Sequence, residues 1–180
     1  MNTASLLDAA QRALAVAVRW KSEAHGYLFR LPGFSFDEKM SGLITLQDHP
    51  HPQHIEFRIH AQAVSIGSFL EEGRTDLTGT VMIADFADSC RLTGSLWIRP
   101  REQTIRYEFQ FPDNQGAMLH FAGQKDVSLL DLRHTMSFLP GFLYDRHGKE
   151  LGQAEVRFDW ADLPSFLASF RPTLPRTRTG

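Results

Sequence analysis

Several segments of the chain alternate between apolar and polar residues, and this alternation limits the folds that are open to it. The pattern is clearest in residues 55–63, 105–111 and 156–160. A period of two places successive side chains on opposite faces of a β-strand, so each segment has one apolar face and one polar face. Strands of this kind are typical of antiparallel sheets that bury one face and expose the other.

Turn-forming residues divide the rest of the body into further strands, which are spaced fairly evenly from residue 76 to residue 125. We predict these at 27–31, 34–47, 76–85, 91–99, 117–125 and 133–145. Eight or nine antiparallel strands in a small domain have edges that need cover, which closure into a barrel or stacking of two sheets provides. The predicted fold class is therefore mainly β: an antiparallel β-barrel or barrel-like sandwich.

A helix is predicted on each side of the strand region. Residues 4–21 carry apolar side chains at helical spacing, and Thr3 can cap the first turn. Residues 162–171 form the second, short helix, because Pro164 suits a first helical turn and an apolar stripe follows it. The sequence thus predicts an N-terminal helix, a barrel and a short C-terminal helix.

Length and composition fit one globular domain. The chain has 180 residues, 42% of them hydrophobic and 22% charged, and we expect one domain over residues 1–172, with strands within 27–160 and a mobile tail at 173–180. The net charge of -2 gives no reason to expect nucleic acid or an anionic membrane as a partner. No apolar run approaches the roughly 18–20 residues that span a bilayer. The apolar run 14–18 lacks the basic flank of a signal peptide, so we expect a cytoplasmic protein.

Candidate catalytic and metal-binding residues are few. His49 and His51 alternate in one segment, so they can point the same way and ligate one ion, with His54 or Asp48 completing a site. Two prolines between them are equally typical of a hairpin loop. Asp131 and His134 are close enough in sequence to form an acid–base pair. Either set would make the chain a small isomerase or hydrolase, which we keep as an alternative; no metal or cofactor is predicted.

Aromatic residues are the remaining sequence feature that bears on function, since 14 of the 180 residues are Phe. A barrel of about eight strands is either filled by side chains or keeps room for one small ligand. A filled core would suit a protein-interaction module. A cavity would suit a non-catalytic binding module for an apolar or amphipathic ligand, such as a lipid or steroid. In that case the predicted ligand-lining residues are Ile105, Tyr107, Phe109, Phe111, Phe121 and Phe158.

Three stretches of the chain, in order, resemble a known family. Residues 36–42, Phe-Asp-Glu-Lys-Met-Ser-Gly, are similar to the Phe-x-Glu-x-Met-x-Gly beginning of a β-rich accessory domain. Residues 119–127, followed by Asp131-Leu132, resemble its Gly-x-Lys-x-Val…Asp-Leu segment, and Phe158 to Phe170 resemble its terminal helix. That domain accompanies cholesterol-oxidase-like members of the glucose–methanol–choline oxidoreductases. The resemblance implies an antiparallel barrel linked to lipid or steroid metabolism. Any FAD-dependent chemistry would then belong to a partner oxidoreductase, because the chain lacks a flavin-binding glycine motif.

Overall fold

The computed structural model of the chain describes residues 32–128, 135 and 137–173. Its main strands are β1 Pro32–Leu46, β2 Gln53–Ser65, β3 Arg74–Ile83, β4 Ala87–Arg99, β5 Thr104–Pro112, β6 Met118–Asp126, β7 Phe138–Asp145 and β8 Glu150–Phe158. Each strand pairs antiparallel with the next, and β1 pairs with both β2 and β8. The sheet therefore closes into a barrel, which confirms the first of the two predicted architectures, the antiparallel β-barrel. The predicted helix at 4–21 and strand at 27–31 lie outside the described residues.

The middle of the barrel is filled by aromatic rings. Phe57, Phe109 and Phe121 point inward, as the alternation predicts, and each is at most 1% exposed. Their ring centroids lie 5.3, 4.8 and 5.8 Å apart. Glycines on neighbouring strands make room for these rings: Gly94 lies opposite Phe109, and Gly141 lies against the ring of Phe121. Large and small residues thus complement one another across the interior.

The close approach of Gly141 to Phe121 leads to a test of this packing. A Cβ atom on Gly141 would lie 2.4 Å from Cζ of Phe121, whose ring is stacked on Phe109. We expect Gly141→Ala to lower the free energy of unfolding by about 1–3 kcal/mol, the usual cost of overpacking a core. Urea denaturation measures it, and adding Phe121→Leu should recover part of the loss. An unchanged midpoint in Gly141→Ala would show that the interior has spare room.

Two short helices complete the described part. Helix α1, Ile66–Glu72, joins β2 to β3; the hydroxyl of Ser65 accepts a hydrogen bond from the Ser68 N–H, and Gly73 ends the helix in the left-handed conformation, with φ of 66°. No helix was predicted here, because seven residues are too few to display a helical period. Helix α2, Leu163–Ala168, follows a 3-10 turn at Trp160–Asp162. No helix in the described ranges is long and apolar enough to cross a membrane.

The predictions for the C-terminal segment need two corrections. Helix α2 ends at Ala168 rather than at residue 171, and a short strand β9, Arg171–Thr173, then pairs with the start of β1. The cause is Ser169, whose hydroxyl accepts a hydrogen bond from the Asp37 N–H at 2.8 Å and ties the chain to β1. Trp160 was predicted to lie in a strand, but it begins the 3-10 turn, because the Asp159 carboxylate accepts a hydrogen bond from the Ala161 N–H at 2.9 Å.

Candidate functional site

Three polar side chains meet inside the otherwise apolar barrel: Glu38 of β1, Tyr107 of β5 and Lys125 of β6. The Nζ atom of Lys125 lies 3.3 Å from Oε1 of Glu38, and the Tyr107 hydroxyl donates a hydrogen bond to Oε2 of Glu38 at 2.9 Å. Nζ of Lys125 also lies 5.2 Å from the centroid of the Tyr107 ring. The three residues are 8%, 2% and 2% exposed. We call Glu38, Tyr107 and Lys125 the buried polar cluster.

Strand alternation explains why these side chains point inward. Glu38 lies between Phe36 and Met40 on the buried face of β1, and Lys125 and Tyr107 occupy inward positions of β6 and β5. Glu38 and Lys125 lie within residues 36–42 and 119–127. Sequence reasoning did not assign either of them to a site. The available signal was a charged residue at an apolar position of the alternating pattern.

The charges of the buried polar cluster balance. Glu38 and Lys125 form an ion pair. Burial raises the pKa of Tyr107 well above its ordinary value of 10, and the negative charge of Glu38 and the hydrogen bond to it raise the pKa further. Tyr107 is therefore a neutral hydrogen-bond donor. In the described part of the chain, no buried side-chain nitrogen or oxygen lacks a hydrogen-bond partner.

The raised pKa of Tyr107 predicts a loss of stability in alkali. The pKa is higher in the folded than in the unfolded chain, so this stabilising contribution is complete below about pH 10 and is lost as the pH rises toward the folded-state pKa. We expect the free energy of unfolding to fall above about pH 10 by up to about 1.4 kcal/mol per pH unit more in the wild type than in Tyr107→Phe. Urea denaturation over this pH range measures the difference. Identical pH dependence in the two proteins would contradict the prediction.

A groove of about 790 Å³ lies where α2 meets β1, β2 and β3. Here β1 passes from its pairing with β9, which ends at Ser35, to its pairing with β8, which begins at Met40. Helix α2 covers this interval, and its Phe166 ring packs 5.6 Å from Phe36 and 5.5 Å from Phe158. The groove is lined by the apolar rings of Phe158 and Phe166 and reaches Glu38. One member of the buried polar cluster, Glu38, therefore borders the groove while it stays 8% exposed.

The charged side chains beside the groove are mostly paired with one another. His60 Nδ1 lies 2.7 Å from Asp37 Oδ1 across the β1–β2 pair. Lys39 and Arg58 both bind Glu56, at 3.2 and 2.9 Å. The surroundings of the groove therefore carry both signs of charge, and most of these charges are neutralised locally.

The six predicted ligand-lining residues are all buried, but they lie in different parts of the interior. Their exposed fractions are Ile105 9%, Tyr107 2%, Phe109 1%, Phe111 1%, Phe121 0% and Phe158 8%. Phe158 lines the groove, and Tyr107 belongs to the buried polar cluster behind it. Phe109 and Phe121 belong to the filled middle of the barrel. Contact with a ligand stays a prediction for all six.

The other candidate residues gain no support from the structure. His49 and His51 lie in the loop after β1, His54 lies in β2, and the His49 ring contacts Phe86 with centroids 6.4 Å apart. Among residues 32–128, 135 and 137–173, no group of three or more His, Cys, Asp and Glu side chains is placed to hold a metal ion. Asp131 and His134 lie outside the described residues.

No known protein-family model matches the chain. A search of curated proteins likewise finds no match. The function therefore has to be argued from the geometry of the barrel, the groove and the buried polar cluster.

Proposed function

We propose that the chain is a non-catalytic binding module for an apolar or amphipathic ligand, which lies in the groove beside α2 with its polar end toward Glu38. The observation that carries the proposal is that one groove joins apolar rings, Phe158 and Phe166, to a buried polar cluster. Ligand pockets have volumes of about 300–1,000 Å³ and are mostly apolar, with a few polar groups that orient the ligand. The groove fits the volume range, and its lining combines the apolar side chains of Ile59, Phe158 and Phe166 with a larger number of polar and charged side chains.

The energetics of the buried polar cluster support a functional role. Burying an ion pair removes two charges from water, and well-packed apolar residues of similar volume are often as stable or more stable. The pair of Glu38 and Lys125 is therefore poorly explained by stability alone. Groups whose pKa is shifted by burial and by a specific partner, as that of Tyr107 is, are concentrated at functional sites.

The packed middle of the barrel supports a site at the groove rather than along the barrel axis. The rings of Phe57, Phe109 and Phe121 fill the middle of the barrel. A ligand would therefore bind beside Glu38 rather than between these rings. The same rings favour a second candidate, a protein-interaction module with a filled core. That candidate predicts that no apolar small molecule binds the chain.

We extend the proposal to a partner: the module serves a lipid- or steroid-processing oxidoreductase in the cytoplasm. It is supported by the resemblance of residues 36–42 and 119–127 to the accessory-domain motifs, and by the meeting of their charged residues, Glu38 and Lys125, in one cluster. A cholesterol-oxidase-like enzyme should turn over its substrate faster when the module presents it than when the substrate is dispersed in buffer. Equal rates would count against the partner.

Direct binding tests the module itself. Fatty acids, long-chain alcohols and sterols are titrated into the protein, and binding is followed by the thermal midpoint and by displacement of an uncharged apolar dye. We expect at least one class to bind, and we expect Phe166→Ala to weaken it about tenfold, because one bulky ring of the groove is lost. Phe142→Ala is the matched control, since that ring is 39% exposed on β7 and is not part of the groove. Absence of binding by every class would favour the interaction module.

A further inference from the structure

Two cations of the groove lining indicate the chemistry of the ligand's polar end, an inference that rests on the proposed function. Lys39 and Arg58 are Cα partners on β1 and β2, and both line the groove. They share one carboxylate, that of Glu56: Lys39 Nζ lies 3.2 Å from its Oε2, and Arg58 Nε lies 2.9 Å from its Oε1. Two positive charges are therefore matched by a single negative charge.

The shared carboxylate is less accessible than the two cations that it binds. The side chain of Glu56 is 18% exposed, against 42% for Lys39 and 67% for Arg58, and Glu56 is not part of the groove lining. The guanidinium of Arg58 uses its Nε–H for Glu56, and its two Nη groups bind no other residue of the described part. Positively charged hydrogen-bond donors are therefore left for a ligand, in the fork that suits a carboxylate.

The remaining charges of the lining favour the same place for a negative ligand end. Asp37 is bonded to His60, and Glu38 is neutralised within the buried polar cluster. Asp162 directly precedes α2 and would repel a carboxylate from that end of the groove, whereas the exposed Arg171 of β9 adds a further positive charge. A negative group is therefore best placed beside the two cations on β1 and β2.

We propose that the groove selects an apolar molecule that ends in a carboxylate, which binds beside Lys39 and Arg58 while its chain lies against Phe158 and Phe166. One added carboxylate brings the site to two cations and two carboxylates, with every charge matched. An uncharged end gains only neutral hydrogen bonds, which are weaker than charge-assisted ones. An ammonium end would add to the excess of positive charge.

The test uses the full chain and a ligand series with one apolar body and four ends: a carboxylate, a primary amide, an alcohol and a primary amine. The amide has the shape of the carboxylate without its charge. Dissociation constants are measured by titration at neutral pH, and we expect the carboxylate to bind at least about tenfold more tightly than the other three. Equal binding by all four, or tighter binding of the amide, alcohol or amine, would overturn the inference and leave the proposed function standing. Binding by none would overturn both.

Two variants of the shared ion pair should change carboxylate binding in opposite directions. Arg58→Gln should weaken the carboxylate about tenfold and leave the amide within about threefold of its wild-type affinity. Glu56→Gln releases both cations from their shared partner, so the carboxylate should bind at least about threefold more tightly, again with little change for the amide. If Arg58→Gln does not fold, Lys39→Gln serves the same purpose. Carboxylate affinity that stays within threefold of wild type in both variants would contradict the inference.

Arg106→Gln is the matched control for these variants. It also removes an arginine paired with a glutamate two residues away on the same strand, Glu108 of β5, but Arg106 is not part of the groove lining. It should keep the wild-type ratio of carboxylate to amide affinity. An equal loss of carboxylate affinity in Arg106→Gln and Arg58→Gln would mean that the net charge of the protein attracts the carboxylate, and it would overturn the assignment to the groove.

Discussion

Lys125→Met should lower the free energy of unfolding by about 3–5 kcal/mol, because it leaves Glu38 as a buried charge without its counter-ion. Glu38 is 8% exposed, so water can replace the lost partner only in part. Lys125 itself is 2% exposed, so its replacement changes the contact between the native protein and water very little. Urea denaturation at neutral pH measures the loss.

The double variant distinguishes a broken pair from a simple packing defect. Glu38→Leu/Lys125→Met removes both charges together, and we expect it to regain most of the stability that Lys125→Met loses. Arg99→Met is the control: it removes a pair with Glu102 at 3.0 Å in which both side chains are more than half exposed, and surface pairs contribute about 1 kcal/mol or less. Equal losses in Lys125→Met and Arg99→Met would contradict the assignment of a buried ion pair.

Phe121→Ala should have an effect of similar size for a different reason. The ring is fully buried, is stacked on Phe109 at 4.8 Å and lies against Gly141. Its removal leaves a cavity that the surrounding strands cannot close, which typically lowers the free energy of unfolding by about 3–5 kcal/mol. Phe142→Ala, at a ring 39% exposed, should cost far less. A small loss in Phe121→Ala would mean that the middle of the barrel is not packed.

The alternation of residues 55–63 and 105–111 was sufficient to predict antiparallel strands with one buried face, because a period of two fixes which side chains face inward. It left open whether the strands close into a barrel or stack as two sheets. It could not predict whether the interior is filled. That outcome depends on which glycine of one strand faces which ring of the next, as Gly94 faces Phe109. Those pairs are set by the register between neighbouring strands, and the sequence of one strand alone does not determine that register.

The buried polar cluster could be anticipated only in part. Glu38 and Lys125 each interrupt an apolar face, but they are 87 residues apart and meet because the barrel brings β1 and β6 to face each other. The groove could not be anticipated, because it requires α2 to pack where β1 changes partners. Residues of α2 such as Phe166 give only an apolar helical stripe in the sequence, which does not say what the helix covers.

The central claim is that a ligand binds in the groove beside Glu38, and a backbone-amide NMR titration with a long-chain alcohol tests it most directly. The account predicts shifts concentrated at residues 36–39, 58–60 and 158–169, which surround the groove. Shifts centred on the outer face around Phe142, or none at saturating alcohol, would contradict it.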